Sequence, residues 1–353
     1  MTSNPLLGTF FHAVGGASAS TCYLPSQKTK RWSWGTFWLV QSAFAWLIMP
    51  LIVGYLTVPD FFYILKTAPS SAFWGAFWLG GVYGFGGMSF GFAIRQIGYS
   101  LTYSISIGLS AILGTMTPLL LHGEVLHYFN RPGSSIVLVG MIIAIAGIIF
   151  IGLAGFKKEK DLGELKDSAH FNMTTGLVLA IIGGLLSAVF NISLETGKPI
   201  ADMAALHGAG EFEGNAKLIV STAGCFGVNL IWFIIAGIKD KTLKEFTASS
   251  GISLGQRAKN TMWSALAGAL WYGQFFFYGL GHVRMGNFQF ISWVLHMTML
   301  IFFSYGVGLF MKEWKQVSKR TYYILIFALV LLFASSVIIS YGSYYGEQIL
   351  AGK

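Results

Sequence analysis

Five side chains that hydrocarbon tolerates poorly lie inside long apolar runs of this sequence: His12, Glu195, Gln274, Gln289 and His296. Inside a bilayer such groups cost several kcal/mol unless they face a cavity or a partner, so each is a candidate functional residue. Ser187, Asn191 and Glu195 follow one another at i, i+4 and i+8, on one helical face. Gln289, Ser292 or Trp293, and His296 also share one face, as do Trp271, Gln274 and Tyr278, and Tyr83 lies in another apolar run. Amides, imidazoles and a carboxylate exchange hydrogen bonds with hydroxyl groups, and Trp and Tyr faces cover apolar C–H surface. A few polar groups in a mainly apolar, aromatic cavity make a small-molecule site, and this set suits a sugar.

Each of these residues also has a plainer use. Trp271 and Tyr278 serve equally as packing or lipid-facing aromatics, and Gln274 and Gln289 as amides bonded across helices. His12 and His296 serve as satisfied core histidines, and Glu195 as an interfacial carboxylate paired with Lys198. Gly80, Gly84, Gly87 and Gly91 form a close-packing stripe, and Arg95, His282 and Arg284 mark helix ends at the headgroups. His122, Glu124 and His127 lack the ligand pattern of a metal centre, and no metal or cofactor is expected. There is no HExxH, G-x-S-x-G or phosphate loop, and the glycines of 208–214 have the wrong spacing for a dinucleotide fingerprint. An enzyme is not expected.

The elements that must position these residues are membrane helices. The chain is only 10% charged and 54% hydrophobic, too apolar for a water-facing surface, and its 44 glycines suit helices that approach closely in lipid. The net charge of +9 sits in short clusters between apolar runs, which argues for topology rather than nucleic-acid binding. Cys22 and Cys225 fall within apolar runs and are expected as free thiols. The first apolar run has no basic leader, so it is expected to be a retained helix. Spans of about 20 residues are expected near 5–24, 35–56, 71–94, 100–121, 135–155, 175–196, 217–238, 261–282, 287–310 and 322–345.

Alternate loops hold 17 and 6 of the basic residues. The richer set belongs in the cytoplasm, which puts both termini on the outer side. Phe90–Gly98 closes span three and Tyr278–Gly286 closes span eight, and in each an aromatic-Gly pair leads to an Arg and then a Gly. Five spans is an odd number, so the second half would be inverted relative to the first. The expected fold is an all-α membrane protein of ten transmembrane helices arranged as two inverted five-helix repeats. These are 1–155 and 175–353, joined by a cytoplasmic loop at 156–174, with the substrate site between the repeats. At 1.5 Å per residue, His12 lies about 10 Å and His296 about 15 Å below the outer surface. Gln274 lies about 20 Å from the cytoplasmic end, and Glu195 and Gln289 are nearer the outside.

Phe11-His12-Ala13-Val14-Gly15-Gly16-Ala17-Ser18-Ala19, followed by a basic Lys-x-Lys-Arg-Trp-Ser-Trp, resembles the opening of the bacterial L-rhamnose–proton symporter family. So do Gly176–Ala180 leading to Gly197-Lys198-Pro199, and the long string Trp271-Tyr272-Gly273-Gln274-Phe275-Phe276-Phe277-Tyr278. That string continues through Gly281-His282-Val283-Arg284 to Ile291-Ser292-Trp293-Val294-Leu295-His296-Met297, and Lys312-Glu313-Trp314 follows. The resemblance implies a member of the drug/metabolite transporter superfamily in the inner membrane, importing L-rhamnose with a proton. L-lyxose and L-mannose are implied as relatives of the cargo.

Two positions depart from the family pattern. Gln289 stands where an acidic residue is common, and Glu195 where an amide is common, as though one carboxylate had moved from span nine to span six. Desolvation favours the neutral form of a carboxyl group, and Glu195 is the expected proton carrier, with His296 or His12 as the second choice. The expected sugar-binding set is His12, Tyr83, Asn191, Glu195, Trp271, Gln274, Tyr278, Gln289, Trp293 and His296. Alternating access couples the two. The alternative is a transporter of another small metabolite or of a cation; a sensor would need a soluble output domain, and none is expected from these loops.

Overall fold

A computed structural model describes residues 3–162 and 172–352. The described residues form helices and turns, with no strand. This follows from the apolar sequence: in lipid a backbone must satisfy its own polar groups, and a helix does so within one segment. The helices are α1 (Pro5–Thr21), α2 (Trp34–Thr57), α3 (Phe61–Thr67), α4 (Ser70–Ile97), α5 (Tyr99–Leu121) and α6 (Val125–Phe129). They continue as α7 (Ser134–Leu162), α8 (Met173–Thr196), α9 (Lys198–Leu206), α10 (Gly214–Lys239), α11 (Leu254–Arg284), α12 (Ser292–Phe310) and α13 (Lys319–Leu350). Eight helical stretches among the described residues are long and apolar enough to cross a membrane. The other two expected spans fall on α1, which has 17 residues, and on α11, whose first turns carry Gln256, Arg257, Lys259 and Asn260. Of the connecting segment expected at 156–174, the first residues continue α7 to Leu162, and 163–171 lie outside the described residues.

The chain divides into two compact units. The first comprises Met1–Ala17, Gly86–Ile192 and Leu280–Lys353, and the second Ser18–Phe85 and Ser193–Gly279. Each therefore draws on both halves of the sequence.

In the first unit, α7 and α13 pack antiparallel along their length. Gly133, Gly140 and Gly147 recur at seven-residue spacing and lie against Gly346, Ile339 and Leu332, which recur in reverse. A Cβ at Gly140 would stand 2.6 Å from Ile339 Cγ1, and one at Gly147 2.8 Å from Leu332 Cδ2. Gly133 also takes φ +81°, a conformation that costs an L side chain about 1–2 kcal/mol.

The same unit carries a repeated local device. Gly98, just after α4, has φ +78°, and a Cβ there would lie 2.7 Å from Glu159 Oε1 near the end of α7. Gly286, after α11, has φ +56°, and a Cβ there would lie 2.8 Å from Glu347 Oε1 near the end of α13. Both carboxylates are buried. Glu347 accepts hydrogen bonds from the Asn287 N–H (2.6 Å) and the Ser3 hydroxyl (2.6 Å).

In the second unit, Gly80 and Gly84 of α4 meet Ser221 and Cys225 of α10, and Gly224 meets Phe77 in return. The expected glycine stripe is thus half right: Gly87 and Gly91 face open space. Asn229 of α10 ties three helices, donating to Gly84 O (3.3 Å) and accepting from Trp38 Nε1 (3.3 Å). Two short helices absent from the sequence expectation, α3 and α9, bury Phe61, Ile64, Ile200 and Ala204 against α10. His207 Nδ1 and Asp60 Oδ2, 2.9 Å apart, join their flanks.

Gly133→Ala is expected to lower the stability of the detergent-solubilised protein by about 2 kcal/mol or more, from the backbone conformation together with the collision with α13. Thermal unfolding checks this, and a wild-type midpoint would contradict the α7–α13 packing.

Candidate functional site

In the first unit, α12 is the most enclosed helix, with Trp293, Leu295 and His296 almost fully buried. Its sequence, SWVLHMTML, is apolar on every side, as a helix surrounded by others must be. His296 meets His12 of α1 edge to face, with ring centroids 5.8 Å apart, and both imidazoles are fully buried. Gly281 makes room for this pair: a Cβ there would stand 2.9 Å from His12 Nε2. Ser292, one turn before His296 on the same face, has a buried hydroxyl with no hydrogen-bond partner among the described residues.

Two further expected residues converge on α5. Trp293 Nε1 donates to Ser110 O (2.9 Å), and its ring covers Gly114, where a Cβ would collide with it. Asn191 Nδ2 donates to Gly114 O (2.8 Å). Gln289 is half-buried in the 3-10 turn Gly286–Ile291 that leads into α12.

In the second unit, Trp271 of α11 packs edge-on against Trp46 (5.4 Å) and on Phe275 (5.0 Å), which leads to Tyr278 (6.3 Å). Gln274 is buried beside them on α11. Glu195 is half-buried at the end of α8. Lys198, weighed in the sequence as a partner for Glu195, reaches Asp202 instead (3.3 Å). Tyr83 is half-buried on α4.

The ten expected residues therefore fall into two sets. His12, Asn191, Gln289, Trp293 and His296 belong to the first unit, and Tyr83, Glu195, Trp271, Gln274 and Tyr278 to the second. Sequence reasoning passed over Gln41 and Trp46, both buried in α2. The rule that singled out Gln274, an amide inside an apolar span, applies equally to Gln41. Of the histidines between α5 and α7, His127 Nε2 meets the Arg131 guanidinium at 2.7 Å.

A model of the L-rhamnose-proton symport protein family matches residues 1–344. The chain belongs to that family. It is 32% identical over 343 residues to an L-rhamnose-proton symporter of Yersinia pestis (strain Pestoides F), covering 96% of this chain and 98% of the relative. It is likewise 32% identical over 347 residues to one of Shigella sonnei (strain Ss046), covering 97% and 99%. This symporter family is one of transporters, not enzymes, and the several apolar helices make the chain an integral membrane protein.

Trp293→Phe removes the donor to Ser110 O, and Asn191→Leu the donor to Gly114 O. Each is expected to lower stability by about 1 kcal/mol. Denaturant titration of the purified variants tests this, and wild-type stability in both would deny them a role in holding α5.

Proposed function

We propose that this protein imports L-rhamnose, or a closely related deoxysugar, together with a proton by alternating access across a bacterial inner membrane. Membership of the symporter family over nearly the whole chain is the observation that carries the reading. The two residue sets fit it chemically. Deoxysugars present hydroxyls on a ring with apolar C–H faces and a methyl group. Gln274 and Trp271 of the second unit match those features, with Tyr278 beside them, and the buried imidazoles of the first unit supply groups able to carry a proton.

Ten transmembrane helices in two inverted repeats, with both termini periplasmic, complete the proposal. The twin device in the first unit supports the repeat. A glycine at positive φ follows the third expected span and packs on a buried glutamate ending the fifth. The same pair joins the eighth to the tenth. The antiparallel run of α7 and α13 suits helices that an odd offset sends in opposite directions.

Glu195 is the proton carrier in this proposal, with His296 or His12 as the second choice. An inward proton moving down 100 mV releases about 2.3 kcal/mol, which supports a sugar concentration ratio of about fiftyfold. Neutralising the carrier leaves exchange of sugar for sugar intact but uncouples the gradient. Glu195→Gln is therefore expected to retain L-rhamnose counterflow in proteoliposomes while losing accumulation driven by an imposed proton gradient. Accumulation at the wild-type level would remove Glu195 from the coupling step, and the same assay on His296→Gln then identifies the carrier. Wild-type vesicles that exchange no deoxysugar but take up a cation or another metabolite would replace the cargo.

A further inference from the structure

In the second unit, α2 carries two buried polar side chains, Gln41 and Trp46, that lie outside the expected sugar-binding set. In a regular helix Trp38 and Trp46, eight residues apart, would point about 80° away from each other. However, α2 is not regular, because Phe44–Ile48 forms a single π turn. Pro50 accounts for it: proline has no N–H for the carbonyl of residue 46 and its ring presses on that carbonyl, so the preceding turn widens. The extra residue taken up there returns Trp46 to the face that bears Trp38 and Gln41, and the two indoles meet edge-on at 6.3 Å.

That face lies against α11. A Cβ at Gly268 would come within 2.6 Å of both Gln41 O and Phe44 Cβ, and one turn on, Trp46 meets Trp271 at 5.4 Å. Gln41 and Trp46 are each only 3% exposed. Gln41 Oε1 and Trp46 Nε1 have no hydrogen-bond partner among the described residues. A buried acceptor and a buried donor left unmade cost folding free energy, and such groups call for an explanation. π turns recur at functional sites.

An orphan acceptor and an orphan donor on one aromatic-lined face complement a ring that carries hydroxyls on an apolar frame. One sugar hydroxyl donates to Gln41 Oε1, another accepts from Trp46 Nε1, and the indole faces cover the C–H side. We propose that Gln41 and Trp46, with Trp271, form a deoxysugar-binding subsite within the second unit. The proposal rests on the transport reading above and names residues for its substrate.

Calorimetric titration of L-rhamnose into the full-length protein in nanodiscs tests it, using the wild type, Gln41→Leu and Trp46→Phe. Both variants are expected to bind at least tenfold more weakly. Without sugar, Gln41→Leu is expected to unfold at or above the wild-type temperature, because an apolar side chain replaces an unpartnered buried oxygen. Wild-type affinity in both variants overturns the subsite. Weakened binding by Gln41→Leu accompanied by a lowered unfolding temperature also overturns it, since that marks a packing role. A wild-type protein that binds no L-rhamnose sinks the transport reading itself, so the two failures are told apart by the wild-type titration alone.

Discussion

Helices in lipid gain nothing from hiding apolar surface from each other, because the hydrocarbon around them is equally apolar. They associate where their backbones can come close, and glycine is what permits that. In the first unit the seven-residue glycine ladder of α7 sets the line along which α13 runs. In the second, Gly80 and Gly224 interlock α4 with α10, and Gly268 admits α2 to the surface of α11. The candidate binding residues hang from these contacts. Trp271 stands three positions after Gly268, and the His12–His296 pair fits only because residue 281 has no side chain.

With the helices placed, the chemistry divides by unit. The first holds two fully buried imidazoles, together with an indole N–H and an amide N–H that donate to the α5 backbone. The Trp293 N–H is engaged by Ser110, whereas Asn191 gives Gly114 O only one of the hydrogen bonds its amide can make. The second holds an aromatic series along α2 and α11 and the carboxylate of Glu195. A neutral sugar and a proton ask for different surroundings, and this chain offers an aromatic wall and a set of titratable groups in a largely apolar interior.

Much of the fold was legible in the sequence because the bilayer imposes a coarse rule, about 20 apolar residues per crossing. Long runs such as Ser134–Leu162 obey it plainly. What stayed hidden depends on details finer than hydropathy. The stripe Gly80, Gly84, Gly87 and Gly91 keeps a helical spacing of four or three throughout, yet only its first half meets a neighbour, because spacing says nothing of how far a partner helix stays in contact. The second span reads from hydropathy as one plain helix, and only the backbone shows the π turn before Pro50 that realigns Trp46 with Gln41. The echo of Phe90–Gly98 in Tyr278–Gly286 was visible, whereas the glutamates that clasp both glycines lie about 60 residues further along and carried no local signal. Among the candidate residues, His12 and His296 were found for being polar in apolar runs. Gln41 meets the same criterion, three residues after Trp38 as Gln274 is after Trp271.

Coupling of sugar to proton is measured by adding L-rhamnose to lightly buffered proteoliposomes while following the external pH. Symport produces a prompt alkalinisation that depends on the protein and disappears with a protonophore. Entry of labelled L-rhamnose with no change in external pH would contradict it.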